Sequence, residues 1–248
     1  MGRKIRIGIS GWNYPAWRRR FYASVPQRQW LSHAARHFSG LEINATFFRF
    51  MKAEMVQGWA ESVPAEKRAG RFGFAAKGHR FITHVRRLDG VEDLIRRQRQ
   101  SFTPLGGLAE VVLWQLPQNL TKDTARLTDF VRMLERSWPG IRHAIEFRHD
   151  SWFCAETVRL LEQAGIANCQ TREAEWPCWD AVTTDLVYLR IQGDPARPRP
   201  PERNLESLAA ALRNWHDEGR DLHVYFDTDR DGQAPYDAQA LMGLVERE

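Results

Sequence analysis

Ala144-Ile145-Glu146-Phe147-Arg148-His149-Asp150-Ser151-Trp152 is the stretch that decides how this chain is read. A short apolar run ending in turn residues is an ordinary strand, but this one carries a carboxylate and a guanidinium two positions apart. Residues two apart in a strand share a face, so Glu146 and Arg148 point the same way. Upstream, Leu41-Glu42-Ile43-Asn44-Ala45-Thr46-Phe47-Phe48 repeats the relation with Glu42 and Asn44. Burying such groups is costly unless they are paired or act on a ligand. Either strand alone reads equally well as a structural ion or hydrogen-bond network. Their repetition favours a site.

Outward from that stretch, strand-like and helix-like segments alternate. Ile5 to Ser10, Leu41 to Asn44, Arg71 to Lys77 and Val111 to Gln115 read as strands before it; Ile166 to Gln170, Leu186 to Gln192 and Leu222 to Asp227 follow it. Between them, Trp30 to Phe38, Glu54 to Ser62, Val91 to Ser101, Ser151 to Ala164 and Ala238 to Val245 read as helices. Leu127, Phe130, Val131 and Leu134 fall at i, i+3, i+4 and i+7, an amphipathic stripe. Leu205, Leu208, Leu212 and Trp215 mark another helix. Between strands six and seven the pattern weakens, because residues 173–180 carry no helical stripe. Strands alternating with helices over 248 residues, without a linker, predict one closed (β/α)8 TIM barrel spanning 1–248, its helix after strand six degenerate. Gly8 and Gly11 do not make the GxGxxG that would open a dinucleotide-binding sheet.

Composition narrows the function classes. Hydrophobic residues make up 43% and charged residues 27%, which suits a globular chain with a sizeable core. A net charge of +5 points toward an anionic partner, whether phosphate, carboxylate or nucleic acid. Cys154, Cys169 and Cys178 follow no metal-ribbon or CxxC spacing, and the N-terminus has no apolar signal core, so reduced thiols and a cytoplasmic location are expected. No apolar run approaches the roughly 20 residues of a membrane helix. No cofactor is expected.

In a (β/α)8 barrel the functional groups sit at the C-terminal ends of the strands. Those ends supply Ser10 and Trp12, Glu42 and Asn44, Lys77, Gln115, Glu146 and Arg148, Gln170, Arg190 and Gln192, and Asp227. Core packing wants branched apolar groups there, so a polar pocket at one mouth is expected. Glu42, Glu146 and Lys77 are the candidate catalytic residues, because two carboxylates in unequal environments can divide into acid and base. Trp12, Asn44, His84, Gln115, Arg148, Trp152, Arg190 and Asp227 are the candidate substrate-binding residues, with Lys77, Arg148 and Arg190 able to hold an anion. His79, His84 and His149 lack the spacing of a metal site, and no metal is expected. Trp12, Trp17, Trp152, Trp176 and Trp179 fall after strands, where they can stack on a ligand or close loops. The Pro/Arg-rich loop over residues 194–201 is on the same side.

Gly8-Ile9-Ser10-Gly11-Trp12, Phe21-Tyr22, residues 41–48, Phe74-Ala75-Ala76-Lys77 and Ile82-Thr83-His84 resemble, in order, the signature of the DUF72 (YecE-like) family. Leu113-Trp114-Gln115-Leu116-Pro117, Glu146-Phe147-Arg148-His149 and Ser151-Trp152 continue the match. The resemblance implies a TIM barrel and leaves its activity open. The C-terminal third departs from it: the family's aspartate after strand six is Gln170-Thr171 here, its Tyr-x-Arg-x-His histidine is Gln192, and its Tyr-x-Phe-Asn-Asn becomes Tyr225-Phe226-Asp227-Thr228-Asp229.

The expected function is hydrolase- or isomerase-like acid/base chemistry on an anionic or polyhydroxyl small molecule. A nucleic-acid-binding or nucleic-acid-processing barrel is a second reading, favoured by an open basic groove; a non-catalytic ligand-binding barrel is a third, favoured by the altered strands.

Overall fold

Strands that are buried on both faces need apolar residues on both, and this chain meets that demand with unequal sizes. The computed structural model describes residues 3–172, 178–192, 202–227 and 232–246. Its strands are β1 (Ile5–Ser10), β2 (Gly40–Ile43), β3 (Gly73–Lys77), β4 (Ala109–Gln115), β5 (Arg142–Glu146), β6 (Ala167–Arg172), β7 (Leu186–Ile191) and β8 (Asp221–Phe226). They close in chain order into a parallel barrel, with β8 pairing back onto β1. The longer helices are α1 (Trp30–His37), α2 (Ala53–Ser62), α3 (Glu92–Phe102), α4 (Thr124–Ser137), α5 (Ala155–Ala164), α6 (Glu202–Asp217) and α7 (Ala234–Val245).

Alternate strand residues serve two layers. Ile7, Ile9, Leu41, Ile43, Phe74, Val112, Trp114, Ile145, Val187, Leu189, Leu222 and Val224 belong to the large outer core beneath the helices. Ala75, Val111, Leu113, Ala144, Ala167, Cys169, Leu186, Tyr188 and Tyr225 form a smaller inner cluster. The helices present the matching faces. In α4, Leu127, Phe130, Met133 and Leu134 are buried, and the helix is capped by the Asp123 carboxylate accepting from the Arg126 N–H at 3.0 Å. Helix α5 ends at Gly165, whose φ of 63° is the left-handed closing position that glycine adopts without strain.

The expected barrel is present, with local shifts in element bounds. Helix α7 begins at Ala234, four residues before the sequence pattern puts it. Helix α5 begins at Ala155, because Asp150–Trp152 forms a separate turn. Among the described residues between β6 and β7 there is no helix, as the missing stripe implies. No described helix is long and apolar enough to cross a membrane.

Charge enters the barrel interior at its N-terminal end. The register of β3 against β4 shifts between Phe74 and Ala75, and the extra residue is Glu110. Its carboxylate accepts from Arg6 Nε and Nη2, both at 2.8 Å, and from Lys4 Nζ at 2.7 Å. Gly73 makes room: a Cβ there would lie 2.0 Å from Glu110 Oε2.

Candidate functional site

The C-terminal end of the barrel is built around Arg190. This side chain is wholly buried, yet it reaches three carboxylates from three other strands or strand ends. Its Nε donates to Glu42 Oε1 at 3.2 Å and its Nη1 to Glu146 Oε2 at 2.9 Å, while Nη2 donates to Asp227. Glu42 also accepts from Ser10 and, at 2.5 Å, from the Tyr188 hydroxyl. Glu146 accepts from Arg148 Nε at 2.6 Å and Gln115 Nε2 at 2.7 Å. Asp227 accepts from Gln192 Nε2 at 3.0 Å and Asn44 Nδ2 at 3.4 Å. Alternation along each strand sends these groups inward, and the parallel register brings the strand ends to one level.

Electrostatics follow from that geometry. Burial alone would raise the Glu146 carboxyl, but Arg190, Arg148 and Lys77 outweigh it and hold the pKa at about 2. The Arg190 guanidinium resists the burial that would lower it, because Asp227, Glu42 and Glu146 hold its proton. Lys77 is pushed below the ordinary lysine range, first by burial and then by Arg190, against the pull of the three carboxylates. His84 is lowered to about 4 by burial and by Lys77, Arg80 and Arg148, so its imidazole is neutral at neutral pH.

Glu42, Asn44, Lys77, Gln115, Glu146, Arg148, Arg190 and Asp227 therefore occupy one end of the barrel. His84, on the π-helical turn Phe81–Val85 after β3, joins Gln115 and Arg148 in lining a cavity of about 780 Å³. Arg87, Gln118 and Asn119 complete much of that lining. Trp12 and Asn44 line a smaller neighbouring cavity of about 300 Å³, where the Trp12 ring meets Trp59 edge-on.

Four expectations require correction. Trp152 is not a ligand-stacking residue: it is 1% exposed, packs on Phe147, and its indole N–H donates to Leu120 O at 2.8 Å. Trp17 is equally buried, against Tyr14 and Phe21. Arg190 is not an anion clamp either, since each nitrogen of its guanidinium already faces a carboxylate. Gln170 is also diverted from the mouth, its Nε2 donating to Asp180 O at 3.3 Å. Trp176, the loop over residues 194–201 and Thr228 lie outside the described residues.

Tyr188 and Arg87 are the informative omissions. Tyr188 stands two residues before Arg190 and so shares its face, a signal available from alternation alone. Arg87 reads in the sequence as half of a solvated basic pair. In the fold it has a φ of 51°, and its guanidinium donates to Asn119 Oδ1 at 2.5 Å. Among the described residues, no group of three or more His, Cys, Asp or Glu side chains is placed to hold a metal ion.

The corrected role of Trp152 has a measurable consequence. Trp152→Phe keeps most of the ring but orphans the buried Leu120 carbonyl, which is expected to cost about 1–3 kcal/mol in chemical denaturation. Ligand affinity at the mouth is expected to be unchanged. A variant as stable as the wild type would show that the indole N–H has no structural role.

A family model described as "Protein of unknown function DUF72" matches residues 6–248. UPF0759 protein YecE of Escherichia coli K12 is 28% identical over 169 residues, covering 65% of this chain and 57% of that relative. The chain thus matches less than two thirds of that relative's length. A DUF72 family protein from Enterococcus faecalis V583 superposes with a TM-score of 0.80 at 17% identity, covering 98% of this chain and 96% of the other. One from Thermotoga maritima MSB8 gives 0.78 at 21% identity, covering 98% and 100%. At such identities the structural likeness speaks for the fold. The family match runs over nearly the whole barrel and every strand that builds its charged end: this chain belongs to the DUF72 family.

Proposed function

We propose that this protein is an enzyme performing hydrolase- or isomerase-like acid/base chemistry on an anionic or polyhydroxyl small molecule at the C-terminal mouth. The observation that carries the reading is the cavity of about 780 Å³ lined by His84, Arg87, Gln115, Gln118, Asn119 and Arg148. Arg87 and Arg148 give it positive charge, and the amides give it donors and acceptors for hydroxyl groups. His84 supplies an imidazole that is neutral at neutral pH and can take a proton.

The two glutamates take different parts from a simple acid and base. Glu146 is ionised and shared among three donors, so it holds Arg148 and Gln115 in place rather than giving up a proton. Glu42, fully buried against Ser10, Tyr188 and Arg190, anchors the other side of the same lattice. Lys77 and His84 are then the groups that handle protons.

Thermal melts against sugar phosphates, sugar acids, 2-oxo acids and neutral sugars test the reading. A ligand that binds only the folded state raises the melting temperature in step with its concentration. At least one anionic or polyhydroxyl class is expected to do so, and Arg148→Gln is expected to blunt the response to anions. No response from any class at millimolar concentration, or an anion response unchanged in Arg148→Gln, would reject the assignment.

A further inference from the structure

We propose that Lys77 is an amine nucleophile and that the mouth accepts a small anionic aldehyde or 2-oxo acid, whose carbonyl carbon the Lys77 Nζ attacks. This deepens, and rests on, the reading of the mouth as a small-anion site.

The first support is the state of the ammonium group. Lys4 is tied to Glu110, Lys67 to the carbonyls of Ala35, Arg36 and Phe38, and Lys122 to Glu156. Lys52 is exposed. Lys77 differs from all four: it is buried with 9% of its surface open, and no described residue accepts a hydrogen bond from its Nζ. That nitrogen instead lies 4.7 Å from the centre of the Phe47 ring. The nitrogen is not among the sealed polar atoms that lack a partner, so it stays open to solvent and to a ligand.

The second support is the rigidity of its base. The Lys77 carbonyl, at the end of β3, accepts from Thr46 Oγ1 at 2.6 Å and from Gln98 Nε2 at 3.1 Å. The next residue, Gly78, donates its N–H to Leu113 O at 2.7 Å. It has to be glycine, because a Cβ would fall 2.2 Å from the Trp114 ring. The stem of the lysine is therefore fixed on the barrel rather than on a mobile loop, which is how a nucleophile is held in register with its target.

The third support is the electrostatic setting: burial and the neighbouring Arg190 lower the Lys77 ammonium from the ordinary lysine range, which eases loss of the proton that attack requires.

The step balances without an oxidant. The Nζ lone pair forms the C–N bond, the carbonyl π pair moves onto oxygen, and one Nζ proton passes to that oxygen to give a carbinolamine. A solvent proton then converts the hydroxyl to departing water. The nitrogen lone pair closes to C=N, leaving an iminium that keeps the second Nζ proton.

The experiment is reductive trapping with cyanoborohydride, using glyoxylate and pyruvate as anionic probes and formaldehyde as an uncharged one, followed by peptide mapping. Glyoxylate is expected to label Lys77 roughly tenfold or more faster than exposed Lys52, because the site holds the carbonyl against the amine. Lys77→Arg, which keeps the charge but cannot form the imine, is expected to lose that label while Lys52 is modified as before. If this variant does not fold, the labelling pattern of the wild type decides alone. Labelling of Lys77 no faster than Lys52, while anions still raise the melting temperature, overturns the amine assignment and leaves the small-anion reading standing. Fast labelling by formaldehyde but not by glyoxylate, with no anion raising the melting temperature, overturns the small-anion reading and the substrate class with it.

Discussion

Replacing Arg190 by methionine is expected to lower stability by about 3–5 kcal/mol, the range for removing one partner of a buried ion pair, and the melting temperature by roughly 6–20 °C. Arg190, Glu42 and Glu146 are all fully buried, and Asp227 is partly so. Methionine fills much of the volume but leaves three carboxylates facing one another in a low-dielectric interior. Lysine at the same position keeps the charge as a single point and cannot span three acceptors on separate strands, so Arg190→Lys is expected to recover only part of the loss. The deficit is expected to depend on pH in a definite direction. In the wild type the Glu146 carboxyl is depressed to about 2, so its stabilisation is complete above the ordinary carboxylate range and is lost as pH falls toward 2. In Arg190→Met the same carboxyls lose their counter-ion and take up protons more readily. The gap between the two proteins should therefore be widest at neutral pH and narrow on acidification. A loss below about 1 kcal/mol at pH 7, the range of exposed pairs, would mean that water replaces the guanidinium, and that the lattice is not sealed.

How much of this was legible in the sequence divides along a physical line. Signals carried by residues within one strand were readable. Glu146 with Arg148, and Glu42 with Asn44, share a face because the strand period is two, and the barrel turns both pairs to the same end. Lys77 closes Phe74-Ala75-Ala76 and shares the inward face with the small Ala75. What remained hidden depends on partners far away in the chain. Arg190 and Glu42 are separated by 148 positions, and nothing local reveals that each nitrogen of the Arg190 guanidinium already faces a carboxylate. Trp152 has the same local pattern whether it faces a ligand or the core; the Leu120 carbonyl, 32 residues earlier, decides. Glu110 gives no local signal, because a bulge changes the face of a residue without changing the look of Ala109-Glu110-Val111-Val112.

Glu110 gives the second large effect, at the opposite end of the barrel from the proposed chemistry. Glu110→Ala removes the shared acceptor of Arg6 and Lys4 and leaves the 3%-exposed Arg6 without its carboxylate. A loss of about 3–5 kcal/mol is expected, since breaking a buried pair strands the remaining charge. Burial pushes the Glu110 carboxyl up, but Arg6, His223 and Lys4 bring it below the usual range. The stabilisation is therefore present above the ordinary carboxylate pKa and disappears as pH falls through the lower folded value. Gly73→Ala tests the same contact from the other strand. Its new methyl group would collide with Glu110 Oε2, so the substitution should be strongly destabilising in the wild type and much milder once Glu110 is alanine. Denaturant melts of the two single variants and the double variant measure that coupling directly. Simple additivity would mean that Glu110 is not held against β3 at all. Throughout the series, anion-induced stabilisation at the mouth should persist in whatever fraction remains folded. The Arg6–Glu110 pair holds the strands together at the N-terminal end, and the lattice around Arg190 holds the site at the other.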